Sequence, residues 1–145
     1  MKITNKSAFF HYEILERLIA GIQLLGWEAK SVRQGRMQLK GAYVRLKQGQ
    51  AWLVNAYIPP YQAGQKQEPD ARRDRRLLLT KKQLLYLQQK LQTKGITLVP
   101  LSVFSQNNLV KLEIALARGK KKYDKKEALK KRDWRRASQR AFKQV

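Results

Sequence analysis

Thr97-Leu98-Val99-Pro100-Leu101-Ser102-Val103 and Val110-Lys111-Leu112-Glu113-Ile114-Ala115-Leu116 decide the fold class. In the second stretch Val110, Leu112, Ile114 and Leu116 alternate with Lys111, Glu113 and Ala115, the period of a strand with one buried face. In the first, Thr97, Val99, Leu101 and Val103 alternate with Leu98, Pro100 and Ser102. Ser105-Gln106-Asn107-Asn108 between them reads as a turn, so the two form a hairpin. Pro100 cannot donate to a ladder, which predicts an edge position or a bulge. Working outward, Tyr43–Lys47 and Trp52–Ile58 make a second hairpin across Gln48-Gly49. Ile22–Arg33 reads as a longer strand, with Leu25, Trp27 and Ala29 on one face and Glu28 and Lys30 on the other. Thr80-Lys81-Lys82-Gln83 fits a capping box, Leu84, Leu87 and Leu91 recur at helical spacing, and Gly95 ends the helix. A shorter helix is expected around Ile14–Ile19, ending at Ala20-Gly21. Long strands joined by hairpins with a few helices between them give a mainly β chain and a small antiparallel barrel.

Composition bounds what such a barrel can do. The 145 residues carry 32 Lys+Arg against 10 Asp+Glu, a formal net charge of +22. A chain so charged repels itself unless an anionic partner neutralises it: nucleic acid, an anionic membrane surface or an acidic protein. There is no Cys and one His, His11. That removes disulfides, thiolate metal sites and Cys catalysis, and nearly all His-based chemistry. The longest uncharged run, Gln48–Gln65, holds Asn55, Pro59, Pro60 and four Gln, so it is no membrane span. The N-terminus lacks the apolar stretch of a secretory signal, which points to the cytoplasm.

Charge also divides the chain. Residues 118–145 hold 13 Lys/Arg and 3 Asp/Glu, leaving a body of 1–117 with a net +12. The tail has helix formers but no continuous apolar seam through Leu129, Trp134, Ala137 and Ala141. It is expected to be disordered when free and to fold, as helix, on a polyanion. Gln62–Arg76, with Arg72-Arg73-Asp74-Arg75-Arg76, is expected to be a loop on the barrel surface.

No reaction centre is legible. Gly119-Lys120 fails the phosphate-loop pattern, because Ile114 and Lys121 stand where Gly and Ser/Thr are needed. Glu68, Asp70 and Asp74 sit among four Arg as solvated counter-charges rather than as a metal cluster. His11, between Phe10 and Tyr12 in an expected strand, has no partner for triad chemistry. What remains is a basic surface with interleaved aromatics, Phe9, Phe10, Tyr12, Trp27, Tyr43, Tyr57 and Tyr61. Lys and Arg neutralise phosphates and aromatic faces stack on unpaired bases. Most of these rings, and Trp52, are expected in the core. An RNA-binding protein follows, with a structural ribosomal protein or RNA chaperone as the alternative and a metal-dependent nuclease a distant third.

Blocks in register along nearly the whole chain sharpen this. They are Asn5-Lys6 with Ala8 and Tyr12; Ala20-Gly21-Ile22; Gly26-Trp27-Glu28-Ala29-Lys30-Ser31 with Arg33 and Gly35; Tyr43 and Trp52-Leu53; and Arg75-Arg76-Leu77-Leu78-Leu79. Lys94-Gly95, Leu98-Val99-Pro100-Leu101, Ala117–Lys126 and Lys131-Arg132-Asp133-Trp134 complete the series. Together they resemble the small protein B family, the tmRNA-binding (SsrA-binding) proteins of bacterial ribosome rescue.

The resemblance implies an oligonucleotide-binding-like antiparallel barrel of six strands with about three helices and a basic C-terminal tail. It implies a non-enzymatic adaptor whose body binds the tRNA-like part of tmRNA through Asn5, Lys6, Glu28, Lys30, Arg33, Arg75, Arg76, Leu78 and Thr80. It assigns Gly119, Lys120, Lys121, Tyr123, Asp124, Lys125, Lys126, Arg132 and Trp134 to the decoding centre and messenger channel of the ribosome. The implied partners are tmRNA and the ribosome, with the protein a monomer on RNA. Neither a cofactor, a metal, a membrane nor a small-molecule substrate is expected. The chain departs from the family pattern at Ile19, where Glu is common, at Thr80, where Asn or His is usual, and at Phe9. Lys126 stands where the family has Arg, which keeps charge and loses a bidentate fork.

Overall fold

The computed structural model describes residues 1–60 and 70–120. Seven strands form one antiparallel sheet, interrupted by three helices. In chain order the elements are β1 Lys2–Thr4, α1 Lys6–His11, β2 Tyr12–Ile22, α2 Gly26–Arg33, β3 Tyr43–Lys47 and β4 Gln50–Val54. They continue as β5 Arg75–Leu78, α3 Lys81–Lys90, β6 Ile96–Gln106 and β7 Leu109–Gly119. The strand order is β1-β6-β7-β2-β5-β4-β3, and β3 comes round against β6 without hydrogen-bonding to it, so the sheet curls into a barrel. The mainly β, barrel-like fold is as expected, with seven strands rather than six. The shortest is β1, a three-residue edge strand that pairs Lys2–Thr4 with Ser102–Phe104.

The deciding hairpin is present. β6 and β7 pair from Ile96 opposite Arg118 to Gln106 opposite Leu109. The turn is Asn107-Asn108 alone, both at positive φ, the conformation that matches a two-residue turn to the twist of its strands. The register slips between Pro100 and Ser102, which is the bulge that Pro100 called for. Every residue from Leu98 to Val103 is buried, because both faces are covered. Leu98, Val103, Leu112, Ile114 and Leu116 face the barrel interior. Val99, Leu101, Ala115 and Ala117 lie under Ala8 and Phe9 of α1. Asn5 latches this helix down: its N–H donates to the Leu101 carbonyl at 2.7 Å and its Nδ2 to Pro100 O at 2.9 Å.

The second hairpin is β3–β4, with Gln48-Gly49 at positive φ. It ends at Val54, short of Ile58, since Asn55 turns left-handed and Tyr57 only bridges to Gln38. α3 starts as the sequence indicated. The Thr80 hydroxyl accepts the Gln83 N–H and Gln83 Oε1 accepts the Thr80 N–H. It stops at Lys90 rather than near Gly95.

Several expectations are corrected. Ile14–Ile19 is not helix but the middle of β2, which pairs along its length with β7. Those cross-strand bonds come from residues about a hundred positions away, which no local pattern displays. Residues 22–33 are not one strand: β2 ends at Ile22 and α2 begins at Gly26. The period-2 pattern of Leu25, Trp27 and Ala29 is outweighed by Glu28, Ser31 and Val32, which lie on one helical face and are all buried. Glu28 and Lys30 therefore point to different sides of a helix. His11 closes α1 instead of lying in a strand. Of the loop expected over Gln62–Arg76, residues 62–69 lie outside the described residues, and Arg75 and Arg76 are not loop but the start of β5, Arg75 being fully buried. Trp52 is not core: Ala51 and Leu53 fill the interior and Trp52 lies on the opposite, outer face. β7 runs to Gly119, and Lys121 onward lies outside the described residues.

Candidate nucleic-acid interface

Opposed residues in antiparallel strands share a face, so the ladder register fixes what the barrel presents outward. Arg45 of β3 opposes Trp52 of β4, and Trp52 opposes Arg76 of β5. Arg76 Nε donates to Gln50 Oε1 at 3.1 Å, which steadies the guanidinium over β4. One step further, Leu78 opposes Gly21 of β2. A side chain at Gly21 would meet Leu78 Cβ at 3.1 Å, so glycine is what lets Leu78 lie flat across β2. Leu78 and Ile19, two residues before Gly21 on the same face, are both about half exposed. The outcome is a row of cation, indole and cation ending in an aliphatic pair. Such a surface holds phosphates at its charged points and stacks a base on the ring between them.

Beneath it lies a buried ion cluster. Glu28 and Arg75 are 0% exposed. Arg75 Nε donates to Glu28 Oε2 at 2.7 Å, its Nη1 to Ala56 O at 2.6 Å and its Nη2 to Ala71 O at 3.0 Å. Glu28 Oε1 accepts from Arg73 and from the Leu25 N–H, the latter at 2.8 Å, which closes the first turn of α2. Burial works against the Glu28 carboxylate, but the hydrogen bonds from Arg73, the Leu25 N–H and Arg75 outweigh it and hold its pKa below the ordinary 4.5. Burial likewise disfavours the Arg75 cation and lowers its pKa, with Glu28 opposing. A carboxyl whose pKa falls on folding stabilises the fold fully above its unfolded value and loses that contribution as pH drops through the folded one. Chemical denaturation between pH 6 and 3 is therefore expected to show stability falling below about pH 4.5, and less steeply in a Glu28→Gln chain. An unchanged slope in that variant would assign the acid loss to other carboxylates.

The expected RNA-binding residues thus divide. Lys6, Lys30, Arg33, Arg76, Leu78 and Thr80 are exposed. Arg33 Nη2 donates to Asn108 O at 2.9 Å, tying α2 to the β6–β7 turn, and the Thr80 hydroxyl caps α3. Asn5, Glu28 and Arg75 are buried and hold α1, α2 and β5 in place; Glu28 and Arg75 have no surface to offer a ligand, while Asn5 keeps a sliver. Gly119 and Lys120 adjoin α1: the Lys120 N–H donates to His11 O at 2.9 Å and its Nζ to Phe9 O at 3.2 Å. Lys121, Tyr123, Asp124, Lys125, Lys126, Arg132 and Trp134 lie outside the described residues. So does Glu68, while the Asp70 carboxylate accepts the Arg72 N–H. Sequence reading missed Arg45 and Trp52. The signal was present, since a two-residue turn at Gln48-Gly49 sets Lys47 against Gln50 and hence Arg45 against Trp52.

Comparison with known proteins gives the chain a family. An SsrA-binding protein of Sulfurihydrogenibium sp. (strain YO3AOP1) is 49% identical over 140 residues, 97% of this chain and 92% of its own. That of Trichodesmium erythraeum (strain IMS101) is 47% identical over 141 residues, 97% of this chain and 90% of its own. A solved structure from "tmRNA-SmpB: a journey to the center of the bacterial ribosome" is 42% identical, with a TM-score of 0.70, over 88% of this chain and 94% of its own. The family model described as SmpB protein matches residues 2–144, and the chain belongs to that family.

Proposed function

We infer that the chain is an RNA-binding adaptor that binds the tRNA-like part of tmRNA (SsrA RNA) and delivers it to stalled ribosomes in the cytoplasm for trans-translation. The observation that carries this is the family match from residue 2 to 144, which spans both the barrel and the basic tail. In this reading the outer face of β3, β4, β5 and β2 meets the RNA. Arg45 and Arg76 neutralise phosphates, Trp52 stacks a base, and Ile19 and Leu78 pack against a ribose or base face. Glu28 and Arg75 position that face from beneath, and Asn5 holds α1 on β6. The tail from Gly119 to Trp134 enters the empty decoding centre and the messenger channel. The protein carries out no chemistry of its own.

Salt dependence tests the assignment. Band shifts on tmRNA are expected to give log affinity falling linearly with log salt. Arg76→Ala should make that slope shallower by about 0.7–0.9, the value of one phosphate contact. Trp52→Ala should weaken binding by about 1–3 kcal/mol and leave the slope alone, because stacking releases no counterions. If Arg76→Ala leaves the slope unchanged, the RNA lies on another face.

A further inference from the structure

Beside that surface, the β3–β4 turn and α3 enclose a groove of about 290 Å³ lined by Leu46, Lys47, Gln48, Gly49, Lys81, Leu84, Leu85 and Gln88. Leu46 and Leu84 form its floor and pack onto the barrel core. Leu85 stands on its rim and is 57% exposed, more than Leu78 or Ile19. Leu85 continues the aliphatic surface of Leu46 and Leu84 out to the rim, so the apolar area is contiguous rather than a single stray leucine. Two properties identify the occupant. None of the eight lining residues is aromatic, so the groove has no platform on which a base could stack. Its charged residues, Lys47 and Lys81, are cations, and neither α3 nor the β3–β4 hairpin contains a single Asp or Glu.

We propose that this groove is a docking site for an acidic protein segment that inserts a leucine-like side chain between Leu46, Leu84 and Leu85. Carboxylates on either side of the anchor meet Lys47 and Lys81, while the apolar side chain supplies the burial. The site borders the RNA face at Lys47 and Gln48, which also line the recess that holds Arg45 and Trp52, while Leu84, Leu85 and Gln88 of α3 lie outside that recess.

The probe is a synthetic amphipathic peptide with Leu at helical spacing and Glu between, titrated into the full chain and followed by amide and leucine-methyl NMR shifts. Three controls accompany it: the same peptide with Ala for Leu, a single-stranded oligouridylate, and tmRNA binding measured on each variant. Saturable shifts confined to Leu46–Gly49 and Lys81–Gln88 are expected, and Leu85→Glu should weaken binding about tenfold or more. Leu85→Ala is expected to weaken it less, since it removes the anchor contact without adding repulsion. Equal binding by the Ala peptide would reduce the effect to charge and overturn the proposal. So would oligouridylate shifting Leu84, Leu85 and Gln88, or a loss of tmRNA binding in Leu85→Glu, which would make α3 part of the RNA face.

Discussion

Replacing Asp124, Lys125 and Lys126 by alanine is expected to leave tmRNA binding nearly intact and to abolish peptide tagging on stalled ribosomes. The outer sheet face, which carries the proposed tmRNA contacts, is complete by β7, and Lys120 anchors the end of that strand to α1. Removing charges beyond that anchor takes nothing from the outer face. It takes from the tail the charges that would meet ribosomal RNA phosphates, with Tyr123 or Trp134 supplying the stacking. Lys143→Ala, further out, should do little. A reconstituted tagging assay beside a tmRNA band shift on the same variants decides the matter. Should both signals fall together, the tail is one more tmRNA anchor and the decoding-centre role is wrong.

The largest stability effect belongs to Arg75. Arg75→Met fills much of the same space but leaves Oε2 of the Glu28 carboxylate without its donor and strips donors from the carbonyls of Ala56 and Ala71. Breaking a buried pair from one side costs about 3–5 kcal/mol, a large fraction of the roughly 5–15 kcal/mol that holds a domain folded. Thermal melting should move down accordingly, and tmRNA affinity should fall because α2 and β5 lose their common anchor. Glu28→Gln should do the same more mildly, since the amide oxygen still accepts one hydrogen bond. In both variants the affinity loss should shrink on mild cooling, where the folded population recovers. A loss that persists in fully folded Glu28→Gln protein would mean that the carboxylate itself acts on the RNA.

What the sequence made legible follows from how local each cause is. The β6–β7 hairpin was readable because alternation, an Asn-Asn turn and a bulging Pro100 all lie within twenty-odd residues. α3 was readable because Thr80 and Gln83 cap each other. α2 was not, because its stability comes from Glu28 meeting Arg75, 47 residues on, and nothing near Glu28 distinguishes it from a solvated carboxylate. The same distance hid Arg75 inside a run of arginines that looked uniformly exposed. The positions named for RNA binding were legible only as a set. Strand register then put Arg76 and Leu78 outward and Arg75 inward, and burial set Glu28 and Asn5 apart.

The strand order also sets a schedule for synthesis. β2 is complete once Ile22 has been made, yet it lies between β7, which ends at Gly119, and a two-residue pairing with β5. At about 5–20 residues per second, those 97 residues take roughly 5–20 s to follow. β5, complete at Leu78, can pair only with Gly21 and Ile22, so until β7 emerges Ile14, Leu18 and Ala20 have no native ladder beside them and the β7 edge of β2 is open to other strands. The hairpin that closes the barrel is also the last part made, so the barrel closes in one late, long-range step. Few of its contacts can form in sequence as the chain emerges, and the nascent protein depends for those seconds on whatever shields an open apolar strand.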